Sequence, residues 1–193
     1  MSLSPEREGR LTASTFASAM GINKYQTRQK LYRQILKIDP RFDGNEMTQW
    51  GEDNEQNCCD GYELNQSVIV YHSGKNQKFR KHPSHDWLGC TPDGFTDDRI
   101  VEFKCPYNKM YDVAPAHYVA QIMGQMAITG MAQADLVAWT PEELRIWRID
   151  FSQEYWDMQL ELLQDFWQYV QQEEEPKRRA KPTMPSVEIE FLL

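Results

Sequence analysis

Long apolar runs are missing from this chain. The longest uninterrupted stretches, such as Val68 to Tyr71, fall far short of the roughly 20 residues that a bilayer-spanning helix needs, so no membrane association is expected. A basic-then-apolar leader is missing too. The first ten residues carry Glu6, Arg7, Glu8 and Arg10 around Pro5, and export is not expected. Cysteine is scarce: Cys58, Cys59, Cys90 and Cys105 form no CxxC pair and no regular framework, which reads as reduced, mostly buried thiols. A zinc set of His82, His85, Cys90 and Cys105 fits no finger or knuckle spacing. Positive charge is in deficit, with 21 Lys and Arg against 29 Asp and Glu and a net charge of −8. That balance argues at first sight against a nucleic-acid ligand. It loses force where carboxylates hold divalent cations, because the bound ions reverse the field that a phosphate meets.

At 193 residues the chain is long enough for one domain with a sizeable core. We read residues 1–193 as a single unit without internal repeats, ending in a Pro- and charge-rich tail from about residue 176 to 193. In that tail the acidic run Glu173 to Glu175 is followed by Lys177, Arg178, Arg179 and Lys181. A solvated, mobile segment is the preferred reading over a phosphate-contacting arm. The apolar end, Val187 to Leu193, is expected to dock on the body or on another subunit.

Along the chain, Thr12 caps a short helix that Gly21 ends, and Thr27 caps a second that stops at Asp39-Pro40. A third helix is expected from about Met47 to Glu63. Extended segments follow at Ser67 to His72, Phe79 to Arg80, Leu88 to Thr91 and Arg99 to Cys105, separated by turn residues. Val119, Ile122, Met123, Met126 and Ala127 recur at helical spacing between Ala116 and Thr129, with Gly130 as the stop. Ala134 to Trp139 and Leu144 to Asp150 pair as a hairpin around Thr140 to Glu143. A long helix then starts near Ser152, and its stripe of Tyr155, Trp156, Leu160, Leu163, Phe166, Trp167 and Val170 is core. The fold class is α/β, a central mixed sheet flanked by helices.

The chemistry-bearing segment is Cys90-Thr91-Pro92-Asp93-Gly94, followed after a short gap by Val101-Glu102-Phe103-Lys104-Cys105. On a strand, residues two apart share a face, so Glu102 and Lys104 project together while Phe103 points into the core. Asp93, set by a rigid Pro and a permissive Gly, approaches the same face. Two carboxylates and the Phe103 backbone carbonyl then offer hard oxygen ligands to a divalent cation. Lys104 stands beside the water that attacks phosphorus and offsets the charge that develops.

With Trp50-Gly51 to Glu55 upstream and Tyr118-Val119-Ala120-Gln121 downstream, the chain resembles the lambda exonuclease or YqaJ-like viral recombinase family of the PD-(D/E)xK nuclease superfamily. The match also takes in Arg7 to Ser14, with its Leu-Thr-Ala-Ser, and Glu102 to Pro106, the most specific block. The resemblance implies a restriction-endonuclease-like fold and a processive 5′→3′ exodeoxyribonuclease that digests one strand of linear duplex to mononucleotides. It implies magnesium at Asp93, Glu102 and the Phe103 carbonyl, two ions in all, with manganese a substitute. Lys104 becomes the catalytic lysine, Glu55 a further acid, and Gln121 the side chain that positions the water or the scissile strand. Arg7, Ser14 and Thr91 stand where the family receives the 5′-terminal phosphate, and Thr91 keeps the hydroxyl where serine is common. The Gly-x-x-x-Glu spacing selects Glu55 over Glu52, and Asp97 and Asp98 face water.

The resemblance further implies a homotrimeric ring around DNA, with Trp139, Trp147 and Trp156 as contact candidates and Met47 or Trp50 as an apolar wedge. It implies a phage or prophage enzyme in a bacterial cytoplasm, leaving 3′ overhangs for a single-strand annealing protein. An endonuclease on the same fold, or a DNA-binding module without activity, are the alternatives. The presence of Asp93, Glu102 and Lys104 together weighs against the second.

Overall fold

The computed structural model describes residues 5–40 and 43–193. Its centre is a five-stranded sheet in the order β4 (Gly94–Phe95), β5 (Ile100–Lys104), β6 (Gln133–Trp139), β7 (Leu144–Asp150) and β8 (Ile189–Phe191). β5 and β6 run parallel, joined by the crossover helix α4 (Ala116–Thr129), and the remaining pairs are antiparallel. A smaller sheet sets β1 (Leu11–Thr12) parallel to β3 (Leu88–Cys90), with β2 (Arg80–Lys81) antiparallel on the other side. Helices α1 (Ala13–Met20) and α5 (Gln153–Gln172) pack with α4, α2 (Arg28–Ile35) packs on α1 and α5, and α3 (Glu46–Gln66) packs on β5 and β6.

The period-2 alternation of β5 and β6 sorts their side chains between two cores. Ile100, Ala134, Leu136 and Ala138 join the main core with α1, α4 and α5, whereas Val101, Phe103 and Val137 meet Cys58, Cys59 and Tyr62 of α3. α4 is buried along most of its length because it is enclosed by the sheet, α1 and α5. Ile122 and Met123 are fully buried, each contributing roughly 1.5–3 kcal/mol. Gly124 lets α1 come close, since a Cβ there would stand 2.4 Å from the Phe16 ring.

Several expected elements form as read: α4 spans Ala116–Thr129, β7 spans Leu144–Asp150, and the Ser152 side chain caps α5 by accepting from Tyr155 N. Others differ. Ser67 to His72 is not a strand, because Ser67 (φ 54°) and His72 (φ 60°) are left-handed and break the extended path, leaving one bridge from Tyr71 to Phe95. α2 ends at Ile35, before Asp39-Pro40, with Lys37 left-handed at φ 57°. The strand expected at Phe79–Arg80 is displaced to Arg80–Lys81, and Phe79 instead lies over Gly89, where a Cβ would meet its ring at 2.2 Å. Thr12 stands at the N-cap of α1 but makes no capping bond with its side chain.

The tail is tied down by Gln29, which donates to the Pro176 carbonyl at 2.9 Å, and by an Arg179–Asp165 ion pair at 3.2 Å, before β8 docks on β7. Trp147 and Trp156, expected as subunit contacts, are 3% and 6% exposed and belong to the core, and Trp139 is half-buried. Among the described residues no helix is long and apolar enough to cross a membrane. On the α3 side of the sheet, Asp135 is fully buried and held by Tyr62 Oη at 2.7 Å and by Arg148 through Nε and Nη2, both at 3.0 Å.

Candidate active site

β5 carries Glu102 and Lys104 on the face that α4 covers, and Lys104 Nζ lies 2.5 Å from Glu102 Oε1. The Pro92-Asp93-Gly94 turn between β3 and β4 brings Asp93 to the same place, where its Oδ2 accepts from Phe103 N at 2.9 Å and lies 3.9 Å from Lys104 Nζ. Gly94 serves space rather than an unusual backbone angle, because a Cβ on it would stand 2.3 Å from Val70 Cγ1. Glu102, Lys104 and Asp93 thus converge, with Glu102 1% exposed.

Helix α4 supplies donors from above. Gln121 Nε2 donates to Glu102 Oε1 at 2.5 Å, and Gln125 Nε2, one turn on, donates to Oε2 at 2.7 Å. The Tyr118 ring lies 5.1 Å from Lys104 Nζ. From α3, Glu55 is half-buried and linked to Asp93 through Gln77, whose Nε2 reaches Glu55 Oε1 at 3.0 Å and Asp93 Oδ1 at 3.4 Å. Glu52 is exposed, as the glycine spacing implied. Gln125, Gln77 and Tyr118 were not assigned roles from sequence. Gln125 carried a signal, since it shares the helix face of Gln121, but Gln77 lies in an irregular segment with no motif around it.

The electrostatics show a shortage of positive charge. Burial, and then the Glu102 charge, push the Asp93 carboxyl well above the usual carboxylate range against the pull of Lys104. Burial also raises Glu55, with Lys104 opposing and Glu102 adding to the rise. Burial alone would lower Lys104, but the charges of Glu102 and Asp93 outweigh it and hold the ammonium more firmly protonated. One ammonium therefore serves three neighbouring carboxylates. A divalent cation would supply the missing charge, and the donor set of Asp93, Glu102 and the Phe103 carbonyl is hard oxygen, suited to magnesium or manganese. Among the described residues no three His, Cys, Asp or Glu side chains cluster closely enough to hold a metal by themselves. A main-chain oxygen is then needed to complete any such set. The same observation removes the zinc grouping of His82, His85, Cys90 and Cys105, whose cysteines are free thiols.

The residues expected at a 5′-phosphate flank the strands of the smaller sheet. The register Leu11 to Leu88 and Thr12 to Gly89 carries the parallel β1 and β3 toward Ser14 and Thr91 at the same end. Ser14 is exposed in the first turn of α1, with its Oγ 3.2 Å from Thr12 Oγ1. Thr91 is half-buried, and its Oγ1 is buried without a hydrogen-bond partner. Arg7 is half-buried in the 3-10 turn Pro5–Arg7 that leads into β1. Asp97 and Asp98 are exposed, and Arg99 pairs with Asp98 at 2.5 Å.

A mixed sheet flanked by helices, with an Asp turn feeding a Glu-x-Lys strand, is the PD-(D/E)xK restriction-endonuclease-like fold. Residues 4–132 match the YqaJ-like viral recombinase domain, more than half of the chain, and the protein belongs to that family. Among solved structures, an alkaline exonuclease (LHK-Exo) from Laribacter hongkongensis is 24% identical, with a TM-score of 0.72 over 86% of this chain and 90% of that one. The same enzyme in complex with dAMP gives 0.73 at the same identity and coverage. A phage-related exonuclease from Haemophilus somnus 129PT gives 0.68 at 16% identity, over 84% of this chain and 94% of that one. No curated protein is a significant match.

Proposed function

We propose that this protein is a magnesium-dependent exodeoxyribonuclease that digests one strand of linear duplex DNA from its 5′ end to mononucleotides. The observation that carries the reading is Lys104 Nζ between two carboxylates, 2.5 Å from Glu102 and 3.9 Å from Asp93, at the end of β5 under the Gln121 and Gln125 face of α4. Family membership supports a recombination role, and the dAMP complex of the Laribacter hongkongensis enzyme supports a mononucleotide product.

Asp93, Glu102 and the Phe103 carbonyl would hold the cation, two ions in all, with manganese able to substitute. When bound, it supplies Lewis-acid stabilisation of charge on the phosphate being cleaved. Lys104 orients the attacking water and offsets negative charge growing on the phosphate oxygens. Gln121 positions that water or the scissile strand, and Glu55 adds a further acidic group, its carboxyl raised by burial. The 5′-phosphate is received by Arg7, Ser14 and Thr91. In support, the first turn of α1 has no side-chain cap from Thr12, and the Thr91 hydroxyl lacks a partner.

On this reading the working form is a homotrimeric ring, and Met47, 53% exposed at the start of α3, or Trp50 acts as the wedge that parts the strands. The enzyme acts in a bacterial cytoplasm and leaves 3′ overhangs for a single-strand annealing protein. Digestion of end-labelled linear duplex with and without magnesium tests the reading. Release of the 5′ label as mononucleotide, only with metal and not from closed circles, is the expected result. Cutting of a closed circle would replace it with an endonuclease.

A further inference from the structure

Glu102 meets different neighbours with its two oxygens. Oε1 takes Lys104 Nζ and Gln121 Nε2, both at 2.5 Å, and Lys104 Nζ in turn lies 3.9 Å from Asp93 Oδ2. Oε1 is therefore the oxygen that shares Lys104 with the second carboxylate. Oε2 accepts from Gln125 Nε2 alone among these donors, at 2.7 Å, deep under α4 where Gln125 is 1% exposed. The other end of that amide, Gln125 Oε1, is buried without a hydrogen-bond partner. Turning the amide over would set its oxygen against a carboxylate oxygen, so Glu102 decides which way Gln125 faces. A residue kept only for packing would be better as Leu or Met, which strand no polar atom in the interior.

We propose that Gln125 is the positioning residue that fixes the carboxylate plane of Glu102, so that Oε1 is presented toward Asp93 for a divalent cation. The inference rests on the metal-dependent reading above. Gln121 and Lys104 share Oε1, so either can yield it when a cation arrives. Gln125 holds the far oxygen and keeps the carboxylate from rotating. The two glutamines, one helical turn apart, thus act on different oxygens, Gln121 on the one presented to the cation and Gln125 on the one that anchors the group.

The proposal is tested by manganese binding to the DNA-free protein, measured by isothermal calorimetry on the parent and on Gln125→Met, together with the magnesium dependence of turnover and the KM for DNA ends. Metal affinity is expected to fall about 10- to 100-fold, as is usual when a ligand loses its supporting hydrogen bond. Half-maximal turnover should move to higher magnesium by a similar factor, while the KM for DNA ends stays unchanged. A melting temperature that drops while manganese affinity stays within about twofold of the parent would mean a structural role only, and would overturn the proposal. If Gln125→Met does not fold, Gln125→Asn decides the matter. It keeps the amide but is one methylene too short to reach Oε2, so the same loss is expected and undiminished affinity overturns the assignment. A parent protein that binds no manganese removes the metal-dependent reading and this inference with it. A parent that binds, beside a variant that binds equally well, removes only Gln125.

Discussion

Replacing Lys104 by Met keeps an apolar stem and removes the ammonium, which lies 5.1 Å from the Tyr118 ring, so it isolates the charge. At 2.5 Å from Glu102 Oε1, and with an effective dielectric near 20, the gross attraction is about 6–7 kcal/mol. Much of that offsets the several kcal/mol of desolvation that each buried ion costs. Removing one partner does not return the desolvation of the other, and Glu102 at 1% exposure keeps only its two glutamine donors. A metal-free Lys104→Met protein is therefore expected to lose roughly 3–5 kcal/mol at neutral pH. Saturating magnesium should restore much of this, because a dication supplies the missing charge. Turnover should not recover: loss of the group that orients water and offsets phosphate charge is expected to lower kcat by about 10²–10⁴, with the KM for DNA ends little changed. Denaturant melts with EDTA or magnesium, beside single-turnover digestion of end-labelled duplex, give both numbers. Residual turnover above about one tenth of the parent would remove Lys104 from the mechanism, and metal-free stability equal to the parent would refute the charge argument.

Raised carboxyls make a distinct pH prediction. Asp93 and Glu55 have folded values above their unfolded ones, so the stability they contribute is full below the ordinary carboxylate range and is lost as pH rises through the raised values. Glu55→Gln should therefore gain on the metal-free parent as pH rises, and the gain should vanish in saturating magnesium; a pH-independent difference refutes this. His117, held down to about 4 by burial and then by Lys24, adds an opposite slope that is common to both proteins and cancels. Ser14→Ala is expected to cut the preference for a 5′-phosphorylated end by about 10-fold or more, the worth of one hydrogen bond to a charged group. Equal rates of the parent on phosphorylated and hydroxyl ends would dismiss that pocket. Thr91→Val should lower the same preference while leaving the melting temperature unchanged or higher, since the hydroxyl it removes is buried without a partner. Asp135→Ala, which strands Arg148 and the Tyr62 hydroxyl, should cost about 3–5 kcal/mol and leave manganese affinity intact, checked by denaturant melts and calorimetry.

Elements with strong local periodicity were legible from residue order alone. α4 needed only its apolar spacing and Gly130, which adopts the left-handed cap at φ 76°, and β7 needed only alternation and the turn that precedes it. The shared face of Glu102 and Lys104 on β5 was equally legible, because two residues apart on a strand is a geometric fact. Illegible were features whose cause lies elsewhere in the chain. The Ser67–His72 segment has strand-forming residues, yet its left-handed ends leave it one bridge to Phe95. Trp147 reads as a surplus aromatic from sequence, yet it is 3% exposed in the main core.

Asp93, Glu102 and Lys104 were recognisable as a set from residue type and spacing, because carboxylates and an ammonium at those intervals share one face of one strand and its neighbouring turn. The partners of that set were decided by packing alone. Gln125 reaches Glu102 across 23 residues, Gln77 bridges Glu55 and Asp93, and Tyr62 and Arg148 enclose Asp135. Hydrogen bonds of this kind follow from which helix covers which strand, and local sequence carries no record of that until the chain has folded.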